Sequence, residues 1–128
     1  MAAKVVFDTS AILALVKAEP GWDRAAAMFP AAVLCTVNAA EVYTKFAEWQ
    51  LPRHELAKYQ VMIQDIVAPF DNDLAMRAGA LRTATKVFGL SVGDRACLAL
   101  AQRLGVPVLT TDKIWASLQV GVEIEVIR

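Results

Sequence analysis

Residues 4–17 read Lys-Val-Val-Phe-Asp-Thr-Ser-Ala-Ile-Leu-Ala-Leu-Val-Lys, and this stretch decides the fold. Lys4 to Phe7 has the β-branched and aromatic content of a strand. Asp8 ends that run, and the next residues, from about Ser10 to Lys17, have helical composition up to Pro20-Gly21, which stops the helix. Strand, acid and helix follow one another without a linker.

The alternation continues along the chain. Ala32 to Thr36 (AVLCT) reads as a second strand. Asn38 to Trp49 reads as a helix in which Val42, Phe46 and Trp49 recur at i, i+4 and i+7 and form one buried stripe. After Pro52 come a helix from about His54 to Ile66, a short strand at Val67 to Phe70, and a longer helix opened by Asp71 or Asp73 and closed by Gly89. A helix after Ser91 runs to about Leu104, where Gly105 ends it. Val106 to Thr110 and Glu123 to Ile127 complete the sheet, with a short helix from about Lys113 between them. Short β-type runs alternating with helices predict an α/β domain with a mostly parallel sheet. A chain of 128 residues without repeats, low-complexity tracts or linkers is expected to form a single domain over 1–128.

Thirteen basic and thirteen acidic side chains cancel, so any polyanion must be held by local features rather than by a global field. Apolar residues make up 57% of the chain and mean hydropathy is +0.44, so part of the apolar surface is expected to face another protein. The longest uncharged stretch, Ala25 to Ala40, contains Pro30, Thr36 and Asn38 and falls short of a membrane span. In MAAKVVFD an acid arrives before an export signal could form, so a cytoplasmic location is expected. Cys35 and Cys97 lie alone in apolar surroundings and read as buried thiols, and His54 in LPRHEL reads as a surface residue.

Four acids carry the chemistry. Asp8 follows the first strand, Asp112 follows VPVLTT, and Asp94 stands in Ser91-Val92-Gly93-Asp94, an S-x-x-D capping box. Each of these three is also a good helix N-cap. Glu41 lies in the first turn of a helix, with Asn38 three residues before it on the same side and Lys45 four residues after it. Topology sets them apart, because all four fall at the carboxyl edge of a parallel sheet, where ligands bind in open α/β folds. Four ionised carboxylates at one rim repel each other, and an oxygen-only donor set suits Mg²⁺ or Mn²⁺ rather than zinc.

VVFDTSAILAL at the start, NAAEV near position 40, LSVGDRACLALA near 94 and VLTTD near 112 together resemble the PIN-domain family, in particular VapC-type toxins. The four motifs occur in order and span Val5 to Asp112. The resemblance implies a PIN-like three-layer α/β/α sandwich and a Mg²⁺- or Mn²⁺-dependent endoribonuclease, the toxin of a VapBC-type pair. Asp8 and Asp94 match the principal metal ligands, and Glu41 and Asp112 match the other two acids. Thr9 or Ser10, and Thr110, match hydroxyls that orient the acids or the attacking water. The resemblance also implies an RNA substrate cut to leave a 5′-phosphate and a 3′-hydroxyl, a small VapB-like antitoxin and a homodimer or higher oligomer. One departure is Lys113-Ile114-Trp115-Ala116-Ser117, where some members carry a further acid, which leaves a second metal site unsupported.

Arg95 and Lys113, each directly after a site acid, are candidate RNA contacts. Two rival readings stand beside the nuclease. A phosphotransfer domain would need a D-x-D, but Asp8 is followed by Thr9 and Ser10. A non-catalytic PIN-like RNA-binding or protein-interaction module would be expected to lose one or more acids, and all four are present.

Overall fold

The computed structural model describes residues 3–128. The expectation about export rests partly on Met1 and Ala2, which lie outside the described residues. Among the described residues five strands form one sheet: β1 (Val5–Phe7), β2 (Ala32–Cys35), β3 (Val67–Ala68), β4 (Val108–Thr110) and β5 (Ile124–Val126). Their order is β3-β2-β1-β4-β5, and every pairing is parallel, with Val5 opposite Ala32, Val6 opposite Val108 and Val108 opposite Ile124.

Period-two alternation sends successive side chains to opposite faces. Val5, Phe7, Leu34 and Leu109 pack with Ile12, Val42, Phe46 and Ile63 on one side. Val6, Cys35 and Val108 pack with Leu74, Leu98 and Trp115 on the other. The first side is covered by α1 (Thr9–Lys17), α2 (Trp22–Met28), α3 (Thr36–Glu48) and α4 (Arg53–Gln64). The second is covered by α5 (Asn72–Ala80), α7 (Val92–Leu104) and a 3₁₀ turn at Lys113–Ser117, with α6 (Arg82–Thr85) following α5. The result is the expected three-layer α/β/α sandwich around a parallel sheet.

α7 is the most deeply set helix, buried without interruption from Ala96 to Ala101, so its small and apolar residues face neighbours on all sides. On the opposite face, Tyr43, Trp49 and Tyr59 ring Phe46 at centroid distances of 6.2, 6.0 and 5.4 Å, and Lys17 Nζ lies 4.1 Å over the Trp49 ring. Val42 and Phe46 are buried as expected, whereas Trp49 is half-buried. Both thiols are free and buried, and His54 is exposed. Among the described residues no helix is long and apolar enough to cross a membrane.

Two elements depart from the sequence reading. Helix α2 falls where no helix was expected: its Asp-Arg-Ala-Ala-Ala core has no apolar stripe and only Ala25 is buried. Packing against α1 supplies what the pattern lacks. The long helix expected between Asp71 and Gly89 is instead α5, α6 and a 3₁₀ turn at Lys86–Phe88. The break at Leu81 coincides with Arg95 Nη1 donating to Ala78 O at 2.9 Å, the carbonyl that residue 82 would use in a continuous helix. The helix does open at Asp71, whose Oδ1 caps Leu74 N–H, and the segment closes at Gly89 in the left-handed region.

Gly21 opens α2 with φ of +95°, and a Cβ there would run into the carbonyl oxygen of Ile127. Backbone strain and collision act together. Gly21→Ala is therefore expected to lower unfolding free energy by about 1 to 3 kcal/mol, measured by urea titration. A loss below experimental error would remove this account of the turn.

Candidate active site

β1 lies between β2 and β4, so the chain reverses its direction of travel across the sheet there, and the crevice past the carboxyl ends of β1 and β4 is the topological switch point. Asp8 follows β1 and Thr110 ends β4. Both edges of the crevice are therefore furnished with site residues from the outset.

Asp8 caps α1 through Oδ1, which accepts from Ala11 N–H at 2.8 Å and from Ser10 Oγ–H at 2.7 Å, while Oδ2 accepts from Thr110 Oγ1–H at 2.5 Å. It is only 5% exposed. Burial is the largest influence and lifts its pKa from 3.8 to about 6, against three hydrogen bonds that pull it down; the charge of Asp94 adds to the rise. Thr110 Oγ1 also accepts from Asp112 N–H at 3.1 Å, and Ser10 Oγ accepts from Thr111 N–H at 2.9 Å. The loop after β4 is thus tied to the loop after β1 through two hydroxyls.

Asp94 is the third residue of α7 and completes a reciprocal capping box: Ser91 Oγ accepts its amide at 3.2 Å, and its Oδ2 accepts from Ser91 N–H at 2.9 Å. Its pKa is raised, first by partial burial and then by the charges of Glu41 and Asp112. Cap and cluster are not alternatives here, since one carboxylate oxygen serves the helix and the other charges act on the same group. Asp94 is the hub of the four acids, because Asp8, Glu41 and Asp112 are each coupled to it.

Glu41 sits in α3, and its Oε1 accepts from Thr9 Oγ1–H at 2.6 Å and from Asn38 Nδ2 at 3.0 Å. Asp112 is exposed and caps the 3₁₀ turn, with Oδ1 accepting from Ile114 N–H at 3.0 Å. Among the described residues none of the four acids forms an ion pair; the ion pairs join other carboxylates, such as Glu125 to Arg24 and Asp71 to Arg103. Beneath them Cys97 is fully buried, and burial pushes its thiol well above its usual range, with the Asp8, Asp94 and Glu41 charges adding to the effect.

Among the described residues, no group of three or more His, Cys, Asp or Glu side chains is arranged to hold a metal ion. Each carboxylate is satisfied locally by a cap or a hydroxyl. The donor set nevertheless fits a hard divalent cation, being entirely oxygen. Asp94 Oδ1, Glu41 Oε2 and Asp112 Oδ2 accept no hydrogen bond among the described residues, so an oxygen of each is free to ligate.

All three hydroxyls singled out from the sequence reach the acids: Thr9 bonds Glu41, while Ser10 and Thr110 bond Asp8. The two bases differ. Arg95 is half-buried and donates to Ala78 O, with its Nε buried and unpartnered, whereas Lys113 is exposed. Two residues went unremarked as site members. Asn38 is 1% exposed and its Nδ2 donates to both Glu41 Oε1 and Gly93 O at 3.0 Å. Gly93 packs against the Glu41 carboxylate. The signal for Asn38 was its i−3 spacing from Glu41, and for Gly93 it was a glycine inside a helical turn.

Two adjoining hollows of about 410 and 460 Å³ lie at the opposite edge of the sheet, around Pro30, Asp65 and Ile66, where β2 and β3 begin. They gather no cluster of acids or hydroxyls among the described residues; the four acids lie at the other end.

A family model described as PIN domain matches residues 5–120. No curated protein is similar enough in sequence to count as a match. Among solved structures, DNA-bound VapBC from Salmonella typhimurium is similar with a TM-score of 0.79 and 19% identity, covering 98% of this chain and 99% of that one. A toxin-antitoxin complex from Klebsiella pneumoniae gives 0.74 and 21%, covering 94% and 100%. VapC20 of Mycobacterium tuberculosis, described as a Sarcin-Ricin loop cleaving toxin, gives 0.70 and 17%, covering 94% and 99%.

Proposed function

The chain belongs to the PIN domain family, and from that premise we propose that it is a Mg²⁺- or Mn²⁺-dependent endoribonuclease, the toxin of a VapBC-type toxin-antitoxin pair. The observation that carries this reading is the hub arrangement, in which the charges of Glu41 and Asp112 act on Asp94 and that of Asp94 acts on Asp8, with no basic side chain paired to any of them among the described residues.

Asp8 and Asp94 would hold the cation, with Glu41 and Asp112 contributing directly or through water. A divalent cation bound there supplies a nucleophilic water at neutral pH and offsets charge growing on the phosphoryl oxygens. Ser10 and Thr110 fix the Asp8 carboxylate from two sides, so it does not have to reorganise when phosphate arrives. Asp112, exposed and held by a single hydrogen bond, is the freer of the two remaining acids to orient or deprotonate the attacking water. Lys113 beside it is the more accessible cation for a phosphate, since the Arg95 guanidinium is bonded to Ala78 O.

The partner reading draws on two supports. The Salmonella typhimurium and Klebsiella pneumoniae structures are described as a VapBC and a toxin-antitoxin complex. In this chain Val92 and Ile114 are 56% and 54% exposed, each two residues from a site acid, and Val87 is 87% exposed. Such apolar surface beside a carboxylate rim suits a VapB-like antitoxin segment or a second copy in a homodimer.

Purified chain incubated with structured RNA and Mg²⁺ or Mn²⁺ is expected to release discrete fragments bearing 5′-phosphates, and chelation with EDTA is expected to stop the reaction. Fragments that form equally well in EDTA would remove the metal, and intact RNA in every condition would leave a binding module.

A further inference from the structure

Gly93 is the second residue of α7 and has no left-handed backbone torsion, so its conformation does not call for glycine. Glycine is among the poorest residues inside a helix. Space explains its presence: a Cβ at this position would lie 2.7 Å from both carboxylate oxygens of Glu41 and 2.8 Å from its Cδ. The carboxylate therefore rests face-on against the bare Cα. Gly79, the other glycine inside a helix, has nothing within 4 Å of its virtual Cβ, so the close approach is particular to Gly93.

The surroundings of Glu41 show why its carboxylate rests there. Thr9 at the start of α1 and Asn38 one turn back on α3 both donate to Oε1, at 2.6 and 3.0 Å. Asn38 Nδ2 also donates to Gly93 O at 3.0 Å, tying α3 to the first turn of α7. That amide orientation is fixed, because a carboxylate oxygen and a carbonyl oxygen can only accept. Three helices converge on one carboxylate. Its Oε1 is anchored, its Oε2 is uncommitted among the described residues, and its charge acts on Asp94, the next residue after Gly93.

We propose that Gly93 is a positioning residue of the metal site: its missing side chain makes the space in which Glu41 is held beside Asp94 with Oε2 free to ligate. This rests on the metal-dependent reading above. The role is distinct from that of the acids, because Gly93 touches neither cation nor RNA and acts only through Glu41. The three atoms nearest a Cβ at position 93 all belong to the flexible end of Glu41 rather than to backbone, so Gly93→Ala keeps the fold and disturbs the ligand set.

The test is calorimetric titration of Mn²⁺ into the metal-free full chain, with thermal melts alongside. Gly93→Ala is expected to keep the parent Tm or exceed it and to weaken Mn²⁺ binding by about tenfold or more, the scale of losses when a ligand's support is disturbed. In a Glu41→Ala background the same substitution is expected to change Mn²⁺ affinity by less than about twofold, since its effect runs through Glu41. Gly79→Ala is the control and should bind Mn²⁺ as the parent does. Parent-like affinity in Gly93→Ala, while Asp94→Asn loses the metal, would overturn the positioning role alone. So would an equal loss in the presence and absence of Glu41. A parent chain that takes up no Mn²⁺, unaltered by Asp94→Asn, would overturn the metal-dependent reading and this role with it.

Discussion

Replacing Asp94 with Asn is expected to lower RNA cleavage by at least about a hundredfold, since loss of the proposed metal ligand would cost no less than loss of its supporting partners, while the protein stays folded. The charges of Glu41 and Asp112 act on Asp94 and that of Asp94 acts on Asp8, so removing the Asp94 charge disturbs the donor set. The helix should not notice. Asn Oδ1 can accept the Ser91 N–H that Asp94 Oδ2 accepts now, and the Ser91 Oγ bond to the amide of residue 94 is independent of the side chain. Circular dichroism and thermal melting check the fold, and fragment release from structured RNA checks activity. Parent-like cleavage by a folded Asp94→Asn chain would reduce Asp94 to a helix cap.

Asp8→Asn is expected to abolish cleavage and yet make the metal-free chain more stable at neutral pH. The folded carboxyl titrates at about 6 against 3.8 in the unfolded chain, so the folded state holds the proton more tightly. Between those values stability falls as pH rises, and above pH 6 the full cost of a buried charge is present, at most about 3 kcal/mol for a shift of 6 − 3.8 = 2.2 units. Asn removes the charge and keeps the shape. Its Oδ1 can accept from Ala11 N–H and Ser10, and its amide can donate to Thr110 Oγ1, whose proton can turn to Ser10 Oγ 3.4 Å away. The expected gain is about 1 to 3 kcal/mol at pH 8 in EDTA, vanishing below about pH 3, where Asp8 is largely protonated in both states. Mg²⁺ should raise the Tm of the parent more than that of the variant, because a cation that binds only the folded form stabilises by mass action. A variant that melts below the parent at pH 8 in EDTA would show that the hydrogen bonds outweigh burial.

The two substitutions together describe carboxylates held in place at a cost to stability. Burial and like charge act against Asp8 and Asp94, and hydroxyls and caps hold them in place despite it. Burying an ionised carboxylate in this way is destabilising, and such groups cluster where chemistry needs them.

The strands and most helices were legible because their signals are local. Val5–Phe7 is an apolar run closed by Asp8, Val108–Thr110 is a β-type run shortly before Asp112, Gly105 closes α7, and Asp71, Ser91 and Asp112 announce helix starts that the structure then shows. Helix α2 was not legible, since Ala25, Ala26 and Ala27 permit a helix without demanding one, and it is contact with α1 that selects it. The break at Leu81 was equally hidden, because it involves Arg95, which is fourteen residues away and arrives only when α7 docks on α5.

The same division holds for the site. The sequence by itself determined that Asp8 and Asp112 lie just past strand ends, and that Glu41 and Asp94 lie near helix starts, because these placements are a matter of chain order. Only the tertiary structure decided how those acids relate. Packing of three helices places Asp94 at the hub, sends Thr9 to Glu41 but Ser10 to Asp8, and sets the Glu41 carboxylate on the bare Cα of Gly93. Apart from the local Ser10 to Asp8 bond, those pairings join residues distant along the chain, such as Thr9 and Glu41, 32 positions apart, and charge coupling and steric contact depend on separation in space, which spacing along the chain does not fix.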